Sequence, residues 1–579
     1  MNNKRVKIII AVAIFLLAQP VFSQITGDFN CDGIINIVDA LLAAQVYVGI
    51  ISPDCNACQE KITFNDEYVE IIIRNMISKP EGDITREDVN SVYTFQSYER
   101  ELDLNDIKKL KALRNLTIAY TPLSDLSPLL ELKNLVCLNL VGCNLSGDLS
   151  VLKKLRFLKE LNLSVNKITD ASFLSGNFPN LCTLDLSNNP IETLNLSELP
   201  RLEQLYVYSC KISETEKLKG LDRLKYLYIQ YNTLTTMTGF KNLAHLEYLD
   251  TRNNQLVDMQ GLSGLKNLSY INLSLNQIID ISVLPDLEKI SHVDLSSNLI
   301  SQVPDISALS SLLLLKLNNN QIDSISNQPN LSLKNLDLSK NNIQTIDFIE
   351  ALPNLEILNL SGNQIVEIHV LNEKKLKSLA ITNNFINKIE NIKLPELVSI
   401  GLLGNKITSI VNLDMPNLIG TLTLDSNQIS HIENLNCPLI TQLSVQNNLL
   451  KDCSFTKAFD ALTHIDLRNN QIESIDLSNF KFLTHGNFQN NKISQVITSK
   501  DNDALVFIDL TNNQIYDLEE LVNLENMVQI KLSVNMITDP MPLLKLSKLK
   551  YLYLGYNPIP DEVMMEFREL LDSSVRLSL

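Results

Sequence analysis

The stretch Leu333 to Ile343, LKNLDLSKNNI, returns as LEILNLSGNQI from Leu355 to Ile365, and this recurrence decides the fold. Both fit L-x-x-L-x-L-x-x-N-x-I and close on an asparagine, Asn341 and Asn363. The same residue comes back every 21 to 23 positions, at Asn166, Asn189, Asn232, Asn254, Asn276, Asn298 and Asn320. Asn384, Asn405, Asn427, Asn448, Asn470, Asn491, Asn513, Asn535 and Asn557 complete the series. Thr121, Cys143 and Cys210 fill the slot in three further turns, giving about 21 turns at a mean period of about 22 residues.

L-x-L reads as a short parallel strand with alternate side chains buried. The asparagine that follows points inward, where its amide can serve backbone N–H and C=O groups left unpaired as the chain turns away. Thr and Cys replace it only partly. A single turn cannot bury its own leucines, so stability comes from stacking neighbours. The expected fold class is an α/β solenoid, a leucine-rich repeat horseshoe with a parallel strand ladder on its concave face. A helical N-terminal cap and a C-terminal cap helix close it.

Composition narrows the setting. Net charge is −17 over 579 residues, which argues against nucleic acid or an anionic membrane as partner. Lys4, Arg5 and Lys7 precede the apolar run Ile8 to Ala18, and VFS-Q offers a cleavage site after Ser23, so residues 1–23 read as a signal peptide. The run is too short to span a bilayer, and no second spanning segment follows. Nor does a wall-sorting signal precede Leu579. The expected location is secreted or cell-surface associated. Cys143 and Cys210 lie three turns apart, too far for a disulfide, and read as buried thiols. Cys55 and Cys58, with Cys31 nearby, suit a local disulfide in an exported chain.

Residues 24–59 form a separate module and 60–112 a helical cap. That cap opens with NDEYVEIIIRNMI, where Asn65 is the expected N-cap and Val69, Ile72, Ile73 and Met76 the inner face. Thr85 to Asp88 reads as a capping box. The array runs over 113–560, and 561–579 is expected to be a cap helix. The period, the descents after Asn166 and Asn276, and the cap with KPEGDIT resemble internalin-like bacterial extracellular proteins. That resemblance implies protein binding on the concave face.

Gly27 to Gly49 holds the sharpest chemical motif. Asp28, Asn30 and Asp32 occupy loop positions 1, 3 and 5, with Gly33 at the turn. Ile34 would give its carbonyl, Asn36 sits at position 9 and Asp39 at position 12, a hard-oxygen set for Ca²⁺. Asp rather than Glu at position 12, followed by Ala40, Leu41 and Leu42, resembles a dockerin loop. The resemblance implies a cohesin-like partner at Ile37, Val38, Leu41 and Leu42.

On the concave face, outward positions of four successive turns are aromatic: Tyr206 and Tyr208, Tyr226 and Tyr228, Tyr248, then Tyr270. His292 follows in the same column, and Asp250 and Arg252 lie beside it. Later turns mostly carry Asn, Ser, Thr, Asp or Gly there, so the patch is a candidate partner-binding site. Phe507, Tyr551, Tyr553 and Tyr556 form a second, smaller cluster that suits packing near the C-terminal cap as well as it suits a partner. His464 and His485 share a column beside Asp466 and read as surface residues rather than a transition-metal site.

No nucleophile elbow, phosphate-cradling loop or H-E-x-x-H occurs, and no enzyme is expected. The favoured function is a non-enzymatic, calcium-bound protein that binds a protein partner. The competing reading is a cohesin-docked component of a polysaccharide-degrading complex, binding glycan or an enzyme. A cytosolic phosphatase regulator shares the repeat style but not the leader or the loop.

Overall fold

The computed structural model describes residues 60–579 apart from 193, 197, 372, 373, 456–458, 460 and 479. The expected signal peptide, the residues from Asp28 to Leu42 expected to hold calcium or dock a partner, and Cys31, Cys55 and Cys58 lie outside the described residues. The chain divides into two compact units, Met1–Asn276 and Gln277–Leu579. Both are stacks of parallel strands following one another in sequence, the leucine-rich repeat fold.

In the first unit, helix α1 (Glu67–Met76) is capped by Asp66, whose carboxylate accepts the Tyr68 N–H at 2.9 Å. The cap is therefore one residue beyond the expected Asn65. The backbone N–H groups of Asn65 and Asp66 instead donate to the buried Asp106 carboxylate, both at 2.7 Å. Val69 and Ile73 are buried and Ile72 half-buried, but Met76, in the last turn, is exposed. Helix α2 (Arg86–Val89) carries the expected Thr85–Asp88 capping box. Strand β1 (Thr94–Tyr98) then pairs in parallel with β2 (Asn115–Ala119), so the ladder begins inside the stretch read as a helical cap. Helix α3 (Leu104–Ile107) lies between them.

Strands β3 (Cys137–Asn139), β4 (Glu160–Asn162), β5 (Thr183–Asp185) and β6 (Gln204–Tyr206) extend the first unit's ladder. Strands β7 (Tyr226–Tyr228), β8 (Tyr248–Asp250) and β9 (Tyr270–Asn272) complete it. Leu138, Leu161, Leu184, Leu205, Leu227, Leu249 and Ile271 stack inward in one register column, each essentially removed from water. Return segments are mostly short 3-10 turns such as Thr238–Asn242 and Gln260–Leu262. Gly239 and Gly261 let those turns touch, because an added Cβ would clash with the Thr215 and Met237 carbonyls.

The amide ladder is built as its spacing requires. Asn166 Nδ2 donates to the carbonyls of Leu163 in its own turn and Leu140 in the turn before, both at 2.9 Å, and its Oδ1 accepts the Leu145 N–H at 2.8 Å. In the second unit Asn341 repeats this on Leu338, Leu317 and Ile322. Each amide thus satisfies groups of two turns at once, groups whose burial unpaired would cost about 1–3 kcal/mol apiece. The substitutes do less. Thr121 Oγ1 donates to the Arg100 carbonyl at 3.0 Å, and the Cys143 and Cys210 thiols point to the carbonyls of Ile118 and Leu186. Cys143 is buried and Cys210 only half-buried.

The second unit repeats the plan with extended segments replacing some 3-10 turns. Lys388–Lys393, Ser409–Asp414 and His431–Asn436 form a further parallel sheet on its return side. The strand of its last repeat, Tyr551–Tyr553, leads into helix α4 (Asp561–Leu570). The expected cap helix stops there. Residues Arg576–Ser578 form an additional strand in parallel register with Tyr551–Tyr553.

Candidate functional site

Alternation along β6 to β9 sends the leucines inward and the tyrosines outward. Tyr226, Tyr248 and Tyr270 stand opposite one another in one column, and Tyr206, Tyr228 and Asp250 in the next. The Tyr206 and Tyr228 rings stack with centroids 4.6 Å apart and planes at 7°, and Tyr248 and Tyr270 stack at 4.4 Å and 5°. Tyr228 and Tyr248 join the two pairs at 4.8 Å with a 34° tilt. All six tyrosines are half-buried.

Stacking changes what the patch offers. Between neighbours the ring faces cover each other, so the rings turn edges and hydroxyls to the outside. Burial, reinforced by the neighbouring phenol of Tyr270 and the carboxylate of Asp250, pushes the Tyr248 phenol well above its ordinary range. Burial also raises Tyr206 and Tyr228. These hydroxyls therefore remain O–H donors at any physiological pH.

Asp250 is 4% exposed, and its carboxylate accepts the Arg252 N–H at 3.1 Å while lying 3.6 Å from the guanidinium Nε. Arg252 also sits 5.5 Å from the centre of the Tyr231 ring. Backbone hydrogen bonds from Ser209 to Gln230 and from Tyr231 to Arg252 place Gln230 between Tyr208 and Arg252 in a third column. Gln230 is 7% exposed and its Oε1 has no hydrogen-bond partner. The sequence reading missed this residue, although it lies two positions beyond Tyr228 on the same face. The patch thus combines phenolic and guanidinium donors with one buried, unpaired acceptor.

His292 belongs to the second unit, on strand His292–Asp294, with its Nδ1 2.8 Å from Ser291 Oγ. Phe507 lies on strand Phe507–Asp509, and Tyr551 and Tyr553 on strand Tyr551–Tyr553. They stand on the strand face in register with Gln529 and Lys531, whose ammonium is 5.5 Å from Phe507 and 5.9 Å from Tyr553. Tyr556 is 90% exposed. His464 and His485 are brought together on neighbouring strands. Burial pushes Cys143 and Cys210 up to about 11 and Cys437 up to about 12, which makes these three thiols poor nucleophiles.

Among the described residues no helix is long and apolar enough to cross a membrane. Models of leucine-rich repeats match residues 156–199, 179–222 and 331–373, described as Leucine Rich repeats (2 copies), and residues 461–483, described as Leucine Rich Repeat. No enzymatic family is indicated by either. No curated protein matches the sequence. Among solved structures, a TDR receptor is 19% identical over 85% of this chain and 93% of its own, with a TM-score of 0.57. The plant peptide hormone receptor RGFR1 in complex with RGF2 is 18% identical over 84% and 89%, with a TM-score of 0.55. An internalin from Listeria monocytogenes is 23% identical over 70% of this chain and 96% of its own, with a TM-score of 0.44. The leucine-rich repeat fold is consistent with protein–protein binding.

Proposed function

We propose that this is an exported, non-enzymatic binding protein that grips a protein partner on the tyrosine face of its first unit. The observation that carries the reading is the stacked set Tyr206, Tyr228, Tyr248 and Tyr270, with the buried Gln230 Oε1 unpaired beside them. Rigid aromatic side chains lose little entropy on binding and are frequent anchors of interfaces. Hydroxyl-tipped edges beside a buried acceptor suit peptide groups, which carry both a donor and an acceptor. A glycan would instead ask for open ring faces, and those are largely taken up by the neighbouring tyrosines. RGFR1, of the same fold, is described in complex with RGF2.

In this reading residues 1–23 direct export, and residues 24–59 hold Ca²⁺ through Asp28, Asn30, Asp32, the Ile34 carbonyl, Asn36 and Asp39. That ligand set fits calcium by its hard oxygens. Residues 60–112 and 561–579 close the array of 113–560. Docking of the loop to a cohesin-like domain through Ile37, Val38, Leu41 and Leu42 belongs to the competing scaffold reading.

The test replaces Tyr226, Tyr248 and Tyr270 by Phe together, which keeps the stacked rings and removes three hydroxyls. The full-length chain and the triple variant are used to capture proteins from an extracellular extract, with quantitative mass spectrometry. At least one protein held by the parent should be weakened about 10-fold or more in the variant, with an unchanged melting temperature. An identical captured set from both chains would reject the patch.

A further inference from the structure

A second cluster lies on the strand face of the second unit. Strands His464–Asp466, His485–Asn487 and Phe507–Asp509 pair in parallel, placing His464 opposite His485 and His485 opposite Phe507. The two imidazoles stack with centroids 4.7 Å apart and planes at 5°, and Phe507 stands 5.6 Å from His485 on its other side. With neighbours against both faces, the chemistry His485 leaves open is in the ring plane, at its nitrogens.

The hydrogen bonds assign those nitrogens. Nδ1 of His464 lies 2.9 Å from Thr463 Oγ1, and Nδ1 of His485 lies 2.9 Å from Thr484 Oγ1. Each hydroxyl already donates to a backbone carbonyl, Thr463 to Thr441 at 3.0 Å and Thr484 to Thr463 at 2.9 Å. A hydroxyl has one proton, so each must accept from its ring. This network assigns the Nδ1–H tautomer to both imidazoles and leaves both Nε2 lone pairs unused. The nearby charges are already matched. Arg468 holds Asp466 at 2.9 Å and Lys531 holds Asp509 at 3.1 Å. No group of three or more His, Cys, Asp or Glu able to hold a metal occurs among the described residues, so any site here has two protein ligands.

We propose that Nε2 of His464 and Nε2 of His485 form a two-nitrogen site for a borderline divalent transition metal of the zinc, nickel or copper class. Neutral imidazoles suit these ions, whereas Ca²⁺ and Mg²⁺ demand oxygen. Water fills the remaining positions. Metal–nitrogen bonds are about 2.0–2.1 Å long, so the rings lean toward each other on binding, and the exposed position of His464 leaves room for that tilt. The threonine hydroxyls fix ring orientation from behind, the usual role of a group bonded to the far nitrogen of a metal-bound histidine.

The experiment adds substoichiometric Cu²⁺ to the full-length chain, free of any polyhistidine tag, and reads the electron paramagnetic resonance spectrum. The parent should show superhyperfine splitting from two nitrogens. His464→Asn and His485→Asn should each lose that pattern and weaken binding about 10-fold or more, while His292→Asn leaves it intact. Zn²⁺ should also protect His464 and His485 of the unaltered protein from carbethoxylation, a readout that does not depend on any variant folding. A two-nitrogen signal surviving in both variants, or no Zn²⁺ protection at either ring, overturns the site.

Discussion

At the residue scale, the position just ahead of each ladder amide carries a constraint of its own. Its φ is positive, from 53° to 58° at Asn188, Asn253, Asn319, Asn383, Asn447, Asn469, Asn490 and Asn512. Asparagine tolerates this left-handed conformation, and glycine takes it at 142, 362 and 404. Val165 and Val534 adopt it too, at 58° and 60°, where a β-branched side chain is strained. Both are exposed, at 42% and 41%, so neither is held there by core packing. Val165→Asn should raise stability by about 1 kcal/mol, seen as a higher urea midpoint with an unchanged slope. A lower midpoint would count against strain at this position. The inward amides were legible in the sequence because only a few side chains can make their hydrogen bonds. The left-handed position was not, since it constrains the backbone and accepts Asn, Gly, Ser, Tyr, Leu, Lys and Val alike.

At the scale of one strand, the middle residue of the L-x-L segment turns a carboxylate or amide back on its own chain. Asp185 Oδ1 accepts the Ser187 N–H at 2.9 Å and its hydroxyl at 2.5 Å, while Asn162 and Asn272 do the same for Ser164 and Ser274. Asn serves as well as Asp in that geometry, but burial beside Tyr206 pushes the Asp185 carboxyl above its usual range. A raised carboxyl pKa means the folded chain holds that proton more tightly than the unfolded one. The penalty is therefore full above the folded pKa and fades as pH falls toward the unfolded value. Asp185→Asn should stabilise the protein at pH 7, by a margin that shrinks as the solution is acidified toward pH 4. Equal melting shifts at both pH values would refute the burial penalty. The tyrosine columns themselves were readable from register. Their mutual stacking was not, because spacing along the chain says which rings are neighbours but not how they turn. Gln230 escaped notice for a related reason: one polar residue among tyrosines signals nothing until its burial is known.

At the scale of the whole molecule, the question is how a stack of open strands ends. The sequence pointed to a helix over 561–579, and its apolar spacing does give α4. What the pattern could not show is the short strand Arg576–Ser578 after it, since three residues carry no periodicity. That strand occupies the backbone groups of Tyr551–Tyr553, and the Leu579 backbone lies against Gly555, close enough that a Cβ there would collide. An uncovered parallel edge is a template for pairing with another chain. Removing residues 575–579 should raise the mass of the protein in solution above that of the full-length chain, measured by light scattering after size exclusion. A shortened chain that kept the full-length state of association would show that α4 alone is sufficient.

The amide ladder has one more consequence. Because every asparagine serves the turn before it and its own in the same way, the turns are interchangeable links and not parts of a fixed plan. Excising about 22 residues from one asparagine to the next would rejoin equivalent partners, whereas excising half that number would leave carbonyls facing nothing. Length is then a quantity that inheritance can adjust in whole steps, lengthening or trimming the stack without redesigning its interior.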